Sequence, residues 1–174
     1  TLQKNEAHRR ALTIFCASRD LSHAISLHEI ARDPAVASQR SEQIPLHKVF
    51  YRQWKISQDR LNRKGLRINL QSYNGVRRLT KSFELIPKIL IDNAIKYASN
   101  SSDVDISFIE SGEFFRIECV NKGPLIKADE TERVFDKNYR GANRSGVEGH
   151  GLGLWLAKMI VESNHGSIRF EIDE

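Results

Sequence analysis

The chain of 174 residues has 40% hydrophobic residues and a formal net charge of +5, enough for one sizeable core with an extension. Its 27 basic and 22 acidic residues are interspersed, so the charge suits a phosphate-bearing nucleotide and predicts no nucleic-acid partner. Two cysteines without CxxC spacing exclude a disulfide scaffold, and no apolar run reaches the roughly 20 residues of a membrane span. We therefore expect a cytoplasmic location, which a membrane anchor in a longer parent protein would not contradict.

The N-terminal part of the chain predicts one long helix. Residues 2–31 contain no Gly or Pro, and a seam recurs in three- and four-residue steps at Ile14, Ala17, Leu21, Ala24, His28 and Ala31. Charged residues fill much of the remaining surface, so this seam needs a partner. The helix should end near Pro34, which lacks the amide donor, and a polar linker should follow over residues 37–43.

The rest of the chain predicts an α/β fold. Apolar residues at helical spacing indicate a helix from Leu46 to Lys64, closed by Gly65 in the position of a left-handed cap. The alternation from Leu66 to Leu70 indicates a strand with one buried face. Further along the chain we expect a helix over 85–97, a β-hairpin over 104–120, a helix over 154–162 and a strand over 167–172. Mixed helices and a partly antiparallel sheet predict a two-layer α/β sandwich.

A glycine-rich turn carries the strongest chemical signal. Gly149, Gly151 and Gly153 alternate with other residues and open directly into an amphipathic helix. Such glycines let backbone amides approach a phosphate chain, and a helix N-terminus adds unpaired donors and partial positive charge. The turn neither follows a predicted strand nor contains Gly-Lys-Ser/Thr, so it is not a dinucleotide-binding turn or a P-loop. A flexible loop that only caps the helix is the alternative.

A second chemical signal lies in the helix over 85–97. Asn93, Lys96 and Tyr97 share one helical face at i, i+3 and i+4. The amide oxygen suits a hard cation such as Mg²⁺, and the ammonium supplies a charge for phosphates. An ordinary solvated helix edge is the alternative.

Four motifs in order resemble the histidine-kinase branch of the ATPase superfamily that also holds DNA gyrase, heat-shock chaperones and mismatch-repair ATPases. LIDNAIKYA is similar to the N box, VNKGPLI to the first glycine box, VFDKNYRG to the F box and GHGLGL to the second glycine box. The resemblance covers residues 44–174. It implies an ATP-binding catalytic domain of Bergerat-type fold over 44–174, and a remnant of the dimerisation hairpin plus linker over 1–43.

The resemblance also implies a set of site residues. ATP and Mg²⁺ would be the cofactors, Asn93 would hold the metal, and no residue would act as a catalytic nucleophile. The implied nucleotide contacts are Asn93, Lys96, Tyr97, Asn121, Gly123, Ile126, Tyr139, Arg140, Gly141, Gly149, His150, Gly151, Leu152, Gly153 and Leu154. The implied partners are a response-regulator receiver domain and a second copy of the chain, joined through the N-terminal helix.

Three residues depart from the family pattern. Ile89 stands where another Asn is usual, Asn121 where Asp accepts from the adenine amine, and Leu125 where the first glycine box has a second Gly. They motivate an alternative, a degenerate nucleotide-binding or non-catalytic switch domain. ATP hydrolysis is a third hypothesis, disfavoured because Ile89 replaces the carboxylate that activates water in hydrolysing relatives.

The phosphoacceptor histidine of such kinases is not evident in this chain. His28, followed by Glu29 and Pro34, superficially resembles the motif. A helical hairpin and its return would need about 50 residues after the histidine, and far fewer precede the predicted catalytic domain. We therefore interpret His28 as a seam residue and residues 2–31 as similar to the second helix of the hairpin.

Overall fold

The computed structural model describes residues 28–30, 32–33, 35, 41–112, 114–124, 126–140 and 151–172. Residues 41–163 of this part contain two small β-sheets and four α-helices. The strands are β1 (Ser41–Pro45), β2 (Arg67–Leu70), β3 (Val76–Thr80), β4 (Asp103–Ser111) and β5 (Phe114–Asn121). The helices are α1 (Leu46–Ile56), α2 (Gln58–Lys64), α3 (Ile86–Tyr97) and α4 (Gly153–Ser163), with 3₁₀ turns at Lys81–Leu85, Ala128–Glu130 and Arg133–Phe135.

The larger sheet has the order β2-β4-β5, with β2 parallel to β4 and β4 antiparallel to β5. Alternate residues of β4, namely Val104, Ile106 and Phe108, are buried, whereas Asp105 between them is exposed. The opposite face of the sheet carries polar pairs such as Arg67 with Asp103. One face packs on helices and the other meets solvent, which confirms the predicted two-layer α/β sandwich.

The core lies between this sheet and the helices. Phe50 of α1 is fully buried and meets Phe108 edge to face, with ring centroids 5.5 Å apart. Burying a phenylalanine stabilises the fold by about 1.5–3 kcal/mol. Helices α3 and α4 bury their apolar faces in the same cluster, through Ile89, Ile91, Ala94, Leu156, Ala157 and Ile160. The core therefore fixes α3 and α4 side by side.

The helix predicted over 46–64 is divided at Ser57 into α1 and α2. Ser57 is 2% exposed, and its hydroxyl oxygen accepts a hydrogen bond from Gln53 Nε2 at 3.3 Å. The backbone of Ser57, at φ −85° and ψ 0°, departs from helical geometry and separates the two helices. At Gly65 the prediction is confirmed, because this residue closes α2 with a φ of 68°.

The predicted linker over 37–43 is wrong at its last three residues. Ser41 to Gln43 belong to β1, which pairs antiparallel with β3 and places Ser41 opposite Thr80. Strand β3 was not predicted at all. Both strands are rich in polar side chains, so neither shows apolar alternation, and their pairing depends on backbone hydrogen bonds.

The predicted strand over 167–172 is also wrong. Its alternation is real, since Ile168, Phe170 and Ile172 are more buried than the residues between them. A strand also needs ladder hydrogen bonds to a neighbour, and within the described residues β5 pairs only with β4. Alternation thus identified which side chains face inward without identifying a partner.

The long N-terminal helix predicted over 2–31 lies outside the described residues except at its end. Residues 28–30 are helical, with Ile30 buried and His28 exposed. The seam position of His28 stays a prediction, because the seam is expected to be covered by a partner. No helix within the described ranges is long and apolar enough to cross a bilayer.

Candidate nucleotide-binding site

One cleft gathers the predicted site residues. It lies where the outer face of α3, the end of β5 and the start of α4 meet. Among its lining residues are Asn93, Lys96, Tyr97, Asn121, Gly123, Ile126, Tyr139, Arg140, Gly151, Leu152, Gly153 and Leu154. The remaining predicted contacts, Gly141, Gly149 and His150, lie outside the described residues.

The cleft is larger than one ligand needs. Its volume is about 2450 Å³, whereas a small-molecule pocket usually measures about 300–1,000 Å³. The surplus space runs along β5 towards residues 166–172, which line the same cleft. A nucleotide would therefore occupy only the end at which α3 and α4 meet.

Helix α3 forms one wall of that end. Pro87 starts the helix where its missing amide costs nothing, and the buried positions Ile91 and Ala94 fix the rotation of the helix on the core. This rotation leaves Asn93 half-buried and Lys96 exposed at the cleft. The Asn93 side chain makes no hydrogen bond to another described residue, so its amide oxygen is available to a ligand.

The last turn of α3 is held by a lysine from α2. Lys64 Nζ donates to the carbonyl oxygens of Ile95 at 2.8 Å and Lys96 at 3.0 Å. Partial burial lowers the pKa of Lys64. A cation on the last carbonyls of a helix satisfies orphan acceptors and complements the helix dipole. The backbone that carries Lys96 and Tyr97 is thereby fixed.

Asp92 is a charged residue of the cleft that the sequence analysis did not single out. Its Oδ1 lies 2.5 Å from Arg60 Nη1 and its Oδ2 lies 3.3 Å from Lys88 Nζ. Two cations thus compensate a carboxylate directly beside Asn93. The Lys88 pairing has i, i+4 spacing and was readable from the sequence, but the Arg60 pairing spans two helices and was not.

The start of α4 forms the opposite wall. Gly151 has a φ of 67°, and a Cβ added there would lie 2.5 Å from the carbonyl oxygen of Tyr139. The amide of Asn138 donates to the carbonyl oxygen of Gly151 at 3.1 Å. No side chain of the described residues caps this helix, and its first residues Gly153 and Leu154 line the cleft. The turn therefore requires glycine for both its conformation and its contacts.

The two walls touch each other. A Cβ added to Gly153, the first residue of α4, would lie 3.6 Å from Ile89 Cγ2 of α3. Ile89 precedes Asn93 by one helical turn, an axial rise of about 6 Å. The predicted metal ligand and the glycine turn therefore converge on one end of the cleft.

The end of β5 adds a third side to this space. A Cβ on Gly123 would lie 2.5 Å from the carbonyl oxygen of Tyr97, and the Ser99 amide donates to the Lys122 carbonyl oxygen at 2.7 Å. These contacts attach the strand end to the end of α3. Asn121, the last residue of β5, lines the cleft beside them.

Tyr139 is held in position by two side chains. Its hydroxyl donates to Glu130 Oε1 at 2.7 Å, and the Arg133 guanidinium lies over its ring, 4.8 Å from the centroid. The hydrogen bond to Glu130 is the main cause that raises the pKa of Tyr139. The phenol is therefore protonated at neutral pH and presents a fixed surface to the cleft.

The residues of this cleft suit a cation that arrives with phosphates. Asn93 offers one amide oxygen, and no cluster of three or more His, Cys, Asp or Glu side chains that could hold a metal occurs in the described residues. Mg²⁺ characteristically keeps several waters and binds through one or two protein oxygens plus substrate phosphates. The donor set fits that arrangement.

Comparison with known proteins identifies the family. Residues 80–174 match the family described as histidine kinase-, DNA gyrase B-, and HSP90-like ATPase. The chain is 32% identical over 133 residues to "Probable sensor kinase SilS" of Salmonella typhimurium, a match that covers 72% of this chain and 26% of the relative. The chain spans about a quarter of the length of the first curated relatives it matches.

Solved structures share the fold. A mycobacterial sensor histidine kinase, MprB, superposes with a TM-score of 0.65 at 20% identity over 75% of this chain and 84% of that one. Histidine kinase ThkA, in complex with response regulator protein TrrA, superposes with a TM-score of 0.64 at 17% identity over 90% of this chain and 46% of that one. The chain therefore belongs to the histidine kinase-, DNA gyrase B- and HSP90-like ATPase family, and it carries the ATP-binding catalytic domain of the histidine-kinase type.

Proposed function

We propose that this chain binds Mg-ATP with the triphosphate between α3 and the start of α4, and that it donates the γ-phosphate to a histidine outside residues 44–174. The convergence of Asn93 with the uncapped, glycine-led start of α4 carries the proposal. Side-chain oxygen, ammonium and backbone amides supply a metal ligand, a counter-charge and phosphate donors in one place.

Each wall has its own role. Asn93 Oδ1 would hold Mg²⁺, which neutralises charge on the phosphates when it is bound. Lys96 and Tyr97 would contact phosphates or ribose, and the amides of 151–154 would receive phosphate oxygens. Phosphoryl transfer needs positioning and charge stabilisation more than covalent chemistry, so no residue of this cleft acts as a nucleophile.

The purine would lie at the end of β5. Asn121, Gly123 and Ile126 line that part of the cleft, and Tyr139 and Arg140 lie at its margin. Gly141, Gly149 and His150 would complete the phosphate end. Ile89, which is 5% exposed and packs against Gly153, accepts no proton, which supports transfer over hydrolysis.

ATP binding with and without Mg²⁺ tests the site. We expect Mg²⁺ to tighten ATP binding to the native chain, and Asn93→Ala to remove at least tenfold of that affinity, about 1.4 kcal/mol. Asn62→Ala is the matched control, because Asn62 is exposed on α2 and bonds only to Gln58 in the described part of the chain. Absence of binding at millimolar ATP would leave only the non-catalytic switch domain.

Phosphotransfer is tested separately with γ-labelled ATP. We expect an acid-labile, alkali-stable phosphohistidine in an added protein that supplies the helical hairpin with its histidine, and Asn93→Ala should abolish this labelling. A response regulator is the proposed downstream partner, supported by the complex of the similarly folded ThkA. Homodimerisation through residues 1–43 and a cytoplasmic location complete the proposal. Tight Mg-ATP binding without any labelled histidine would contradict the transfer step.

A further inference from the structure

Asn121 lies at the end of the cleft where the purine base is proposed to bind. It is the last residue of β5, lies opposite the fully buried Val104 of β4, and is itself half-buried. Its side chain makes no hydrogen bond to any other described residue. Its Nδ2 lies 3.4 Å from the position that a Cβ on Gly123 would take, so glycine at 123 leaves room for the amide to rotate.

The neighbouring residues impose no charge that would select one orientation of this amide. Ile117 and Cys119 precede Asn121 on the same face of β5, since alternate residues of a strand share a face. Burial, with a smaller contribution from Asp105, raises the pKa of the Cys119 thiol to about 12, so it is neutral at physiological pH. Asn121 can therefore present either its oxygen or its nitrogen to a ligand.

A primary amide complements two different purine edges. Its carbonyl oxygen accepts and its NH₂ group donates, and rotation about the terminal torsion exchanges their places. Adenine presents a donor at the 6-amino group beside an acceptor at N1. Hypoxanthine and guanine present an acceptor at the 6-oxo group beside a donor at N1. A carboxylate, which only accepts, matches the 6-amino group and repels the 6-oxo group.

We propose that Asn121 makes this site accept 6-oxopurine nucleoside triphosphates as well as ATP. The inference rests on the proposed function, because it places the base at the end of β5. Rotation of the Asn121 amide supplies a complementary hydrogen bond to either base. The nucleotide specificity of this chain is therefore broader than that of a site with aspartate at this position.

The experiment compares ATP with ITP, which differ in the purine only at position 6 and in the proton that hypoxanthine carries on N1. Binding of each Mg-nucleotide to the full chain is measured by calorimetry. We expect the two dissociation constants to agree within about tenfold for the native chain. Asn121→Asp should leave ATP binding and weaken ITP by about 100-fold relative to ATP, because a site with the wrong polar group rejects an analogue strongly. Asn121→Ala should weaken both nucleotides equally.

The outcomes separate the two proposals. ATP binding with ITP more than about tenfold weaker in the native chain would overturn the specificity inference and leave the proposed function intact. An ATP-to-ITP ratio that Asn121→Asp does not change would also overturn it. Failure of the native chain to bind either nucleotide would overturn the proposed function and the inference together. The comparison in the native chain needs no variant to fold.

Discussion

The two ends of α4 treat their backbone groups in opposite ways. At the C-terminal end, Asn164 Nδ2 donates to the carbonyl oxygen of Ile160 at 2.7 Å and to Thr80 Oγ1 at 2.8 Å, while its Oδ1 accepts from the Thr80 amide at 2.7 Å. At the N-terminal end, no side chain within the described ranges caps the helix. The C-terminal end is therefore bonded to other parts of the fold, whereas the first-turn amides have no described side-chain acceptor.

The missing cap alone does not mark a site, because α1, α2 and α3 also begin without a side-chain cap. What distinguishes the start of α4 is the cleft beside it, which Gly151, Leu152, Gly153 and Leu154 line. The glycine at 151 supports the same conclusion, because it brings bare backbone against Tyr139 instead of a capping side chain. Gly151 and the first-turn amides of α4 therefore lie at the same end of the helix, beside the cleft.

The largest expected effect comes from a substitution at the N-terminal end of α4. Gly151→Ala forces an alanine into a left-handed conformation and against the Tyr139 carbonyl oxygen, so the free energy of unfolding should fall by about 3 kcal/mol. ATP affinity should fall with it. Gly153→Ala is the matched control, since its Cβ meets only Ile89 at 3.6 Å and should change stability by no more than about 0.5 kcal/mol. Urea unfolding measures both, and equal effects would contradict the geometry of the turn.

The next largest effect is expected from a substitution at the C-terminal end of α4. Asn164→Ala leaves the amide of Thr80, a residue 4% exposed, without its acceptor, and should lower the free energy of unfolding by about 2 kcal/mol. ATP affinity of the folded chain should remain within about twofold. Ser163→Ala removes a hydrogen bond to the Ile160 carbonyl oxygen and a 3.5 Å bond from Asn164 Nδ2 but leaves the Thr80 contacts intact, so it serves as the control. A large loss of ATP affinity in Asn164→Ala would show that the two ends are not independent.

The smallest expected effect concerns the charge of Asp92, which lies in the cleft beside Asn93. Arg60→Ala leaves Asp92 less compensated next to Asn93, so ATP binding should weaken by about threefold, while this partly exposed ion pair contributes less than about 1 kcal/mol to stability. Arg63→Ala removes an exposed cation of the same helix and is the control. Calorimetric titration at low salt should resolve the ATP affinities of Arg60→Ala and Arg63→Ala. Indistinguishable affinities would show that the charge of Asp92 does not affect ATP binding.

The sequence predicted most elements whose side chains carry a period, although the alternation over 167–172 is not accompanied by a strand. Helices α3 and α4 and the β4–β5 hairpin follow from apolar spacing, and the end of α2 follows from Gly65. The ladder between β1 and β3 could not be predicted in this way, because its pairing lies in the backbone. The break at Ser57 is likewise a feature of the backbone, which departs from helical geometry at that residue.

The candidate site likewise contains features that were predictable from the sequence and features that were not. Asn93, Lys96 and the glycine turn were identified from residue type and spacing, and the structure brings their described members into one cleft. The compensation of Asp92 by Arg60 and the fixing of Tyr139 by Glu130 and Arg133 required tertiary structure. Spacing within one helix is visible in sequence, whereas contacts between elements are not.

Paramagnetic broadening by Mn²⁺ in place of Mg²⁺ tests the convergence of the two walls most directly. In isotope-labelled chain with ATP, the Asn93 side-chain amide and the backbone amides of Gly151, Gly153 and Leu154 should lose NMR signal together at the lowest Mn²⁺ concentrations, before the side chain of Asn62 on the neighbouring helix α2. Loss at only one wall, or the same loss without ATP, would contradict a shared Mg-triphosphate site.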